Sequence, residues 1–333
     1  MRDFSAIFFG LGSIGKKHCS NYRKLFPDAR ILTPNNTTIA SNFIEENKIE
    51  VIDVKSDWQA DIAFITNPTS LHLKTAIMAA TKGCHLFIEK PFVHEIEDCQ
   101  SLKKIIIDKN LGFFVAFNYR FHPLLAHLKS LLQNNTINGI CSVSIDYGEY
   151  FPDWHPYEDY RNSYVGKKEL GGGAILTSTH EIDYAIWIFG KPLYLNCVGG
   201  KRSSLDIDVE DVADISLLME RKFNLTIHLD ILQKKYTRNI KIVTEEGNWE
   251  IDLVGCQIHK ECNEKRELVF VTPVIDKTEI LETEVKQFVS HLMSNDISQE
   301  YWIEQFNEAL YIQKVVLDAK QSLERNNKKI EKT

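Results

Sequence analysis

Gly10, Gly12 and Gly15 punctuate AIFFGLGSIGKKH (residues 6–18), a buried-strand pattern that runs straight into a helix-like segment. The spacing suits a dinucleotide pyrophosphate. Gly10 lets the chain turn sharply, Gly12 removes the side chain that would block backbone approach to phosphate, and Gly15 lets the helix pack closely on the strand. Ser13 and Ile14 open the helix, whose free N–H groups face the anion. An ordinary strand-to-helix turn shares this composition, so the loop alone leaves both readings open. Two other residues are of types that move protons. Lys90 ends a buried-strand pattern and precedes Pro91, which stiffens the turn and fixes where the ammonium points. A cation there can hydrogen-bond a reacting hydroxyl and stabilise alkoxide charge, or simply pair with Glu89 at the surface. His180 follows the glycines at 171–173 on a helix-like run and titrates near neutrality, which suits proton exchange as well as a structural role.

The elements that must position these groups follow from the patterning. Short apolar runs at 6–9, 29–33, 51–54, 61–66, 85–88 and 113–117 read as strands, with helical patterns between most of them, including 70–82 and 94–109. Such alternation predicts an α/β, doubly wound parallel sheet of the Rossmann type. Ligands of these sheets bind beyond the carboxyl ends of the strands, which selects the loops at 10–15, 66–72 and 89–91. From about residue 122 the character changes. A helix at 123–133 leads into strand patterns at 140–150, 194–200, 212–220, 225–232, 239–243, 249–253 and 268–271, predicting a mostly antiparallel second sheet. Amphipathic helices are expected at 279–294 and 299–324, and the run 326–333 reads as frayed.

Composition narrows the function classes. A chain of 333 residues predicts two domains. With 39 basic and 46 acidic residues the net charge is −7, which gives nucleic acid and anionic membranes no electrostatic handle. No apolar run approaches ~18 residues and the start lacks a signal-peptide core, so the expected location is cytoplasmic. The seven cysteines are odd in number and irregularly spaced, which argues against a disulfide framework. Cys256, His259 and Cys262 lack a second CxxC partner, and no metal site is expected.

Five motifs in order, GLGSIGKKH, TNPTSLH (66–72), EKP (89–91), NYRFHP (118–123) and LGGGAILTSTHEIDYAIWIFG (170–190), resemble the glucose-fructose oxidoreductase, inositol dehydrogenase and rhizopine-catabolism family across nearly the whole chain. The resemblance implies a dinucleotide-binding domain over 1–121 and an open-faced α/β domain over 122–333 that binds substrate and pairs subunits into a homodimer or homotetramer. It further implies a nicotinamide cofactor and oxidation or reduction of a sugar or cyclitol hydroxyl. Lys90 would then act beside the nicotinamide, and His180 on the substrate-site helix. Thr66, Asn67, Pro68, Thr69 and His72 correspond to the loop over the nicotinamide ribose and diphosphate, although helix packing is an equal reading for His72. Glu89 joins the cofactor set. Tyr119 and Arg120 match the segment that approaches cofactor and substrate, and Arg120 equally suits pairing with an acid.

Here the sequence departs from the family. Many relatives carry an aspartate three or four residues before the histidine, where this chain has Thr177, which cannot hold a negative charge beside His180. Asp183, on a neighbouring part of the same helical face, can partly replace it or serve as a structural or substrate-contacting acid. Trp154, His155, Tyr160 and Arg161 form a polar, aromatic loop that suits a sugar face and its oxygens, or equally an oligomer interface. At the end of the second strand, Thr33, Pro34, Asn35 and Asn36 include neither the acid expected for NAD nor an arginine for NADP, so the cofactor stays open between the two. By analogy with family members of surface-polysaccharide pathways, DYRNSY (159–164) followed by HEIDY (180–184) points to a nucleotide-linked or amino sugar, ahead of free aldoses and inositols. A catalytically weakened sugar- or nucleotide-binding regulator of the same fold is the rival class.

Overall fold

A computed structural model describes residues 4–35, 41–154, 159–274, 276–294 and 297–330. Two units emerge, Met1–Asn118 with Lys277–Gln313, and Tyr119–Asp276 with Lys314–Thr333. The chain therefore re-enters the first unit at Lys277.

The first unit holds six parallel strands: β1 (Ala6–Phe9), β2 (Ile31–Pro34), β3 (Ile49–Ile52), β4 (Ile62–Ile65), β5 (His85–Ile88) and β6 (Phe113–Val115). Their order is β3-β2-β1-β4-β5-β6, so the chain reverses direction at β1, where a ligand crevice opens. Four-residue runs such as AIFF and IAFI are buried throughout because helices cover both faces. Register adds an aromatic ladder. Phe8, Phe64, Phe87 and Phe114 are direct cross-strand neighbours on β1, β4, β5 and β6, with successive ring centroids 4.4, 4.9 and 5.2 Å apart. Each buried ring contributes about 1.5–3 kcal/mol. Helix α1 (Ser13–Leu25) packs on α8 (Lys277–Met293), whose Phe288 lies against Phe87 and Phe114. That apolar seam draws α8 back to the first unit. Helices α2 (Ser41–Glu46), α3 (His72–Thr81) and α4 (Cys99–Asp108) complete the connections.

The second unit begins with α5 (Pro123–Gln133), where the expected helix bounds hold. Its sheet contains β7 (Ile140–Gly148), β8 (Pro192–Gly200), β9 (Val212–Met219), β10 (Asn224–Asp230), β11 (Thr237–Thr244), β12 (Gly247–Asp252), β13 (Gln257–Cys262) and β14 (Lys265–Val271). The order is β14-β13-β12-β11-β7-β10-β9-β8, antiparallel except where β7 meets β10. Inward positions alternate with polar outward ones, as in Val143, Ile145 and Tyr147 on β7. Strand β13 has weak alternation, QIHKEC, and the sequence reading passes over it.

The 170–190 run is two helices, α6 (Ala174–Thr177) and α7 (Thr179–Phe189), interrupted at Ser178. At the other end, α9 (Gln299–Ile330) outlasts its expected limit, because Asn326 Nδ2 donates to Asn196 Oδ1 and Cys197 O, both at 2.8 Å. Of the run 326–333 expected to fray, the part to Ile330 is helical, and residues 331–333 lie outside the described residues. No helix among the described residues is long and apolar enough to cross a membrane.

Candidate active site

At the carboxyl ends of β1, β2 and β4 lies a cavity of about 730 Å³ lined by Gly10, Gly12, Pro34, Asn67, Pro68 and Lys74, among others. The glycines have separate jobs. A Cβ on Gly15 would stand 2.2 Å from Gly10 O, so this residue permits helix and loop to touch, whereas a Cβ on Gly12 would meet nothing within 4 Å. Gly12 thus faces open space beside the N-terminus of α1. Gly10, at φ +99°, makes the turn, and a Cβ there would stand 2.7 Å from the Asn67 backbone. A glycine cradle, a helix N-terminus and a roomy, largely apolar wall fit a dinucleotide. Ser13 is exposed and Ile14 half-buried at the first turn of α1.

Thr33 is buried and its hydroxyl donates to Phe8 O at 3.0 Å, so it points into the sheet. Asn35 is exposed, with its N–H bound to Ile52 O. Asn36 lies outside the described residues.

Thr66 donates to Phe9 O and to Gly10 O, locking β4 to the glycine loop. Asn67 Nδ2 donates to Thr75 Oγ1 at 2.9 Å, while Pro68 leads into a short 3-10 turn, Thr69–Leu71. His72 acts as a strut. Its Nε2 is 2.8 Å from Asn67 O and its Nδ1 2.9 Å from Pro91 O, and burial pushes its pKa down. The cavity loop is thereby tied to the turn that carries Lys90. Glu89 accepts the Lys90 N–H at 3.0 Å through Oε2, and the Lys90–Pro91 peptide is cis.

In the second unit, His180 is buried on α7 with its ring 4.9 Å from that of Tyr119. Thr177 is the last residue of α6, so the Ser178 break separates it from the helix of His180. Asp183 is fully buried and engaged by Arg120, with Nη2 and Nε 2.6 and 3.0 Å from Oδ1. Two residues expected at the substrate therefore hold each other. The polar loop divides similarly. Trp154 packs on Phe151, Tyr160 accepts the Asp206 N–H and packs on Phe151, and Arg161 pairs with Asp159 at 2.6 Å in the open. His155 lies outside the described residues.

Sequence reasoning missed Arg238 and Glu181. Both are buried, with Arg238 Nε 2.8 Å from Glu181 Oε1 and its guanidinium over the rings of Tyr119 and Tyr147 at 4.1 and 4.4 Å. Burial pushes Arg238 down to about 9, still protonated at neutral pH. The signal was available: on β11 the inward positions are Arg238, Ile240, Ile242 and Thr244, so a cation stands at a core register. The triple glycine also has a packing reason, since a Cβ on Gly173 would strike the half-buried Glu210 carboxylate that accepts the Ile175 N–H.

The glycine cradle at a Rossmann switch point, with a lysine turn strapped to it, defines a dinucleotide-binding class of protein. Residues 4–117 match the oxidoreductase family with the NAD-binding Rossmann fold, and 125–250 match the GFO/IDH/MocA C-terminal domain. The chain belongs to this family, and its first unit is an NAD-binding domain. Levoglucosan dehydrogenase of Pseudarthrobacter phenanthrenivorans is 27% identical over 216 residues, 60% of this chain and 54% of that protein. The chain thus spans about half the length of such curated relatives. Among solved structures, levoglucosan dehydrogenase in complex with NADH superposes with a TM-score of 0.77 at 19% identity, covering 97% of this chain and 98% of that one. UDP-N-acetylglucosamine 3-dehydrogenase from Acidithiobacillus ferrooxidans gives 0.75 at 17% identity, covering 98% and 99%. At these identities the structures establish the shared fold.

Proposed function

We propose that the chain is an NAD(P)-dependent dehydrogenase acting on a secondary hydroxyl of a sugar, with a nucleotide-linked or amino sugar as the leading substrate class. One observation carries this reading: His72 straps the loop that lines the dinucleotide cavity to the backbone of the turn that carries Lys90. The nicotinamide supplies the hydride acceptor or donor. In the oxidising direction, Lys90 hydrogen-bonds the reacting hydroxyl and stabilises charge as its oxygen loses a proton, and His180 takes that proton up. Carbon loses the hydride and oxygen the proton, leaving a ketone. The substrate class is supported by relatives named for levoglucosan and UDP-N-acetylglucosamine. A cytoplasmic homo-oligomer belongs to the same proposal.

Titration of NADH and NADPH by fluorescence, then turnover of UDP-N-acetylglucosamine, levoglucosan and scyllo-inositol with the tighter cofactor, tests it. Turnover of any sugar in the wild type that vanishes in Lys90→Met, with nucleotide affinity unchanged, supports the assignment. Equal turnover in the variant overturns Lys90's role. Thr177 favours a second reading, a binding protein with a weakened site; nucleotide binding without turnover, and activity gained in Thr177→Asp, would establish that alternative.

A further inference from the structure

Beneath the Lys90 turn lies a polar pair that the proposed chemistry does not use. His18, five residues into α1, is fully buried, and its Nε2 is 2.6 Å from Oε1 of Glu89, which is itself buried at the end of β5. The imidazole stands edge-on to Phe87, with ring centroids 5.0 Å apart, and against Phe64 at 6.4 Å, so the pair is set into the aromatic ladder. Both carboxylate oxygens are engaged, Oε1 by the imidazole and Oε2 by the Lys90 N–H. The Glu89 backbone is separately fixed by its N–H to Ile65 O at 2.9 Å.

Stability alone is a poor reason for this arrangement. A buried carboxylate and imidazole cost desolvation that an apolar pair of similar volume would avoid. What the pair does instead is geometric. The Glu89 side chain reaches forward to the next residue's amide, and His18, from the helix that follows the glycine loop, holds it there. We propose that His18 is a positioning residue for Lys90, acting through Glu89, and so couples the cofactor-binding helix to the lysine turn. The inference rests on Lys90 acting in the reaction as read above.

The test uses the full chain. In His18→Leu, hydrogen exchange at the Lys90 amide should rise at least about tenfold, the worth of one hydrogen bond to a charged group, while the Glu89 amide, bound to Ile65 O, stays within about twofold. Turnover of UDP-N-acetylglucosamine should fall by about tenfold or more with KM and NADH affinity nearly constant. His18→Gln, whose side-chain amide can still donate, should recover most of both. Lowered melting temperature with Lys90 exchange and turnover unchanged in the folded variant would reduce His18 to a structural role and overturn the proposal. If His18→Leu fails to fold, His18→Phe, which fills the aromatic niche without a side-chain donor, takes its place and should raise Lys90 exchange in the same way; equal protection there is equally fatal. Because exchange needs no substrate, it decides the role of His18 even if the wild type turns over none of the sugars, a result that would strike the proposed function instead.

Discussion

Replacing Arg238 with methionine keeps roughly the side chain's length and removes its charge. Glu181 then stays fully buried without its cation, since its carboxylate oxygen lies 2.8 Å from Arg238 Nε. Breaking one side of a buried pair costs about 3–5 kcal/mol, and losing the cation from between Tyr119 and Tyr147 adds to this. For a unit of this size each kcal/mol moves the melting temperature by about 2–4 °C, so the midpoint should drop by roughly 10 °C. A pH signature separates charge burial from a packing defect. Loss of the neighbouring cation should favour the neutral form of the buried carboxyl, so the deficit should be small in acid and grow as pH rises past the unfolded value near 4.3. Adding Glu181→Gln should return most of the loss, because a neutral pair needs no counter-charge. Melting by circular dichroism between pH 4.5 and 8 reads all three quantities. A midpoint within about 2 °C of wild type, or a pH-independent loss that Glu181→Gln leaves untouched, would refute the argument.

Two further perturbations separate fold from binding. Gly15→Ala puts a methyl 2.2 Å from Gly10 O and should destabilise the first unit by about 1–3 kcal/mol in urea titration, whereas Gly12→Ala, which meets no protein atom, should melt normally yet bind NADH at least about tenfold more weakly in fluorescence titration. His228 is raised to about 9 by its contacts with Asp230 and Asp214 at 3.0 and 2.7 Å. A raised histidine stabilises fully below its unfolded pKa near 6.5 and ceases to do so as pH climbs through about 9. After allowance for solvent screening of this part-exposed group, stability should fall by on the order of 1 kcal/mol across that window, and His228→Gln should flatten the slope.

How much of this was legible in the sequence depends on how far apart the partners lie. The parallel sheet was readable because each strand is an apolar run bounded by turn residues, and the glycine loop because its spacing has a steric meaning that Gly15 and Gly12 bear out in opposite ways. The location of the Lys90 turn followed from the rule that ligands sit beyond strand ends. What holds that turn did not: His72 reaches Pro91 across 19 residues and His18 reaches Glu89 across 71, and no local pattern encodes either distance. In the second unit the same limit left alternatives open. Asp183 looks like a spare carboxylate for His180 when only helix spacing is counted, yet Arg120, 63 residues earlier, clamps it from two nitrogens. The compensating clue was the reverse of a motif. Arg238 places a charge in an inward row on β11 that otherwise holds Ile240, Ile242 and Thr244, and a cation buried at a core register requires an acid, which the fold supplies as the residue beside His180. Site geometry is thus underwritten by buried polar pairs whose members announce themselves singly, as residues out of place in a strand or helix, and become a mechanism only when the topology shows which of them meet.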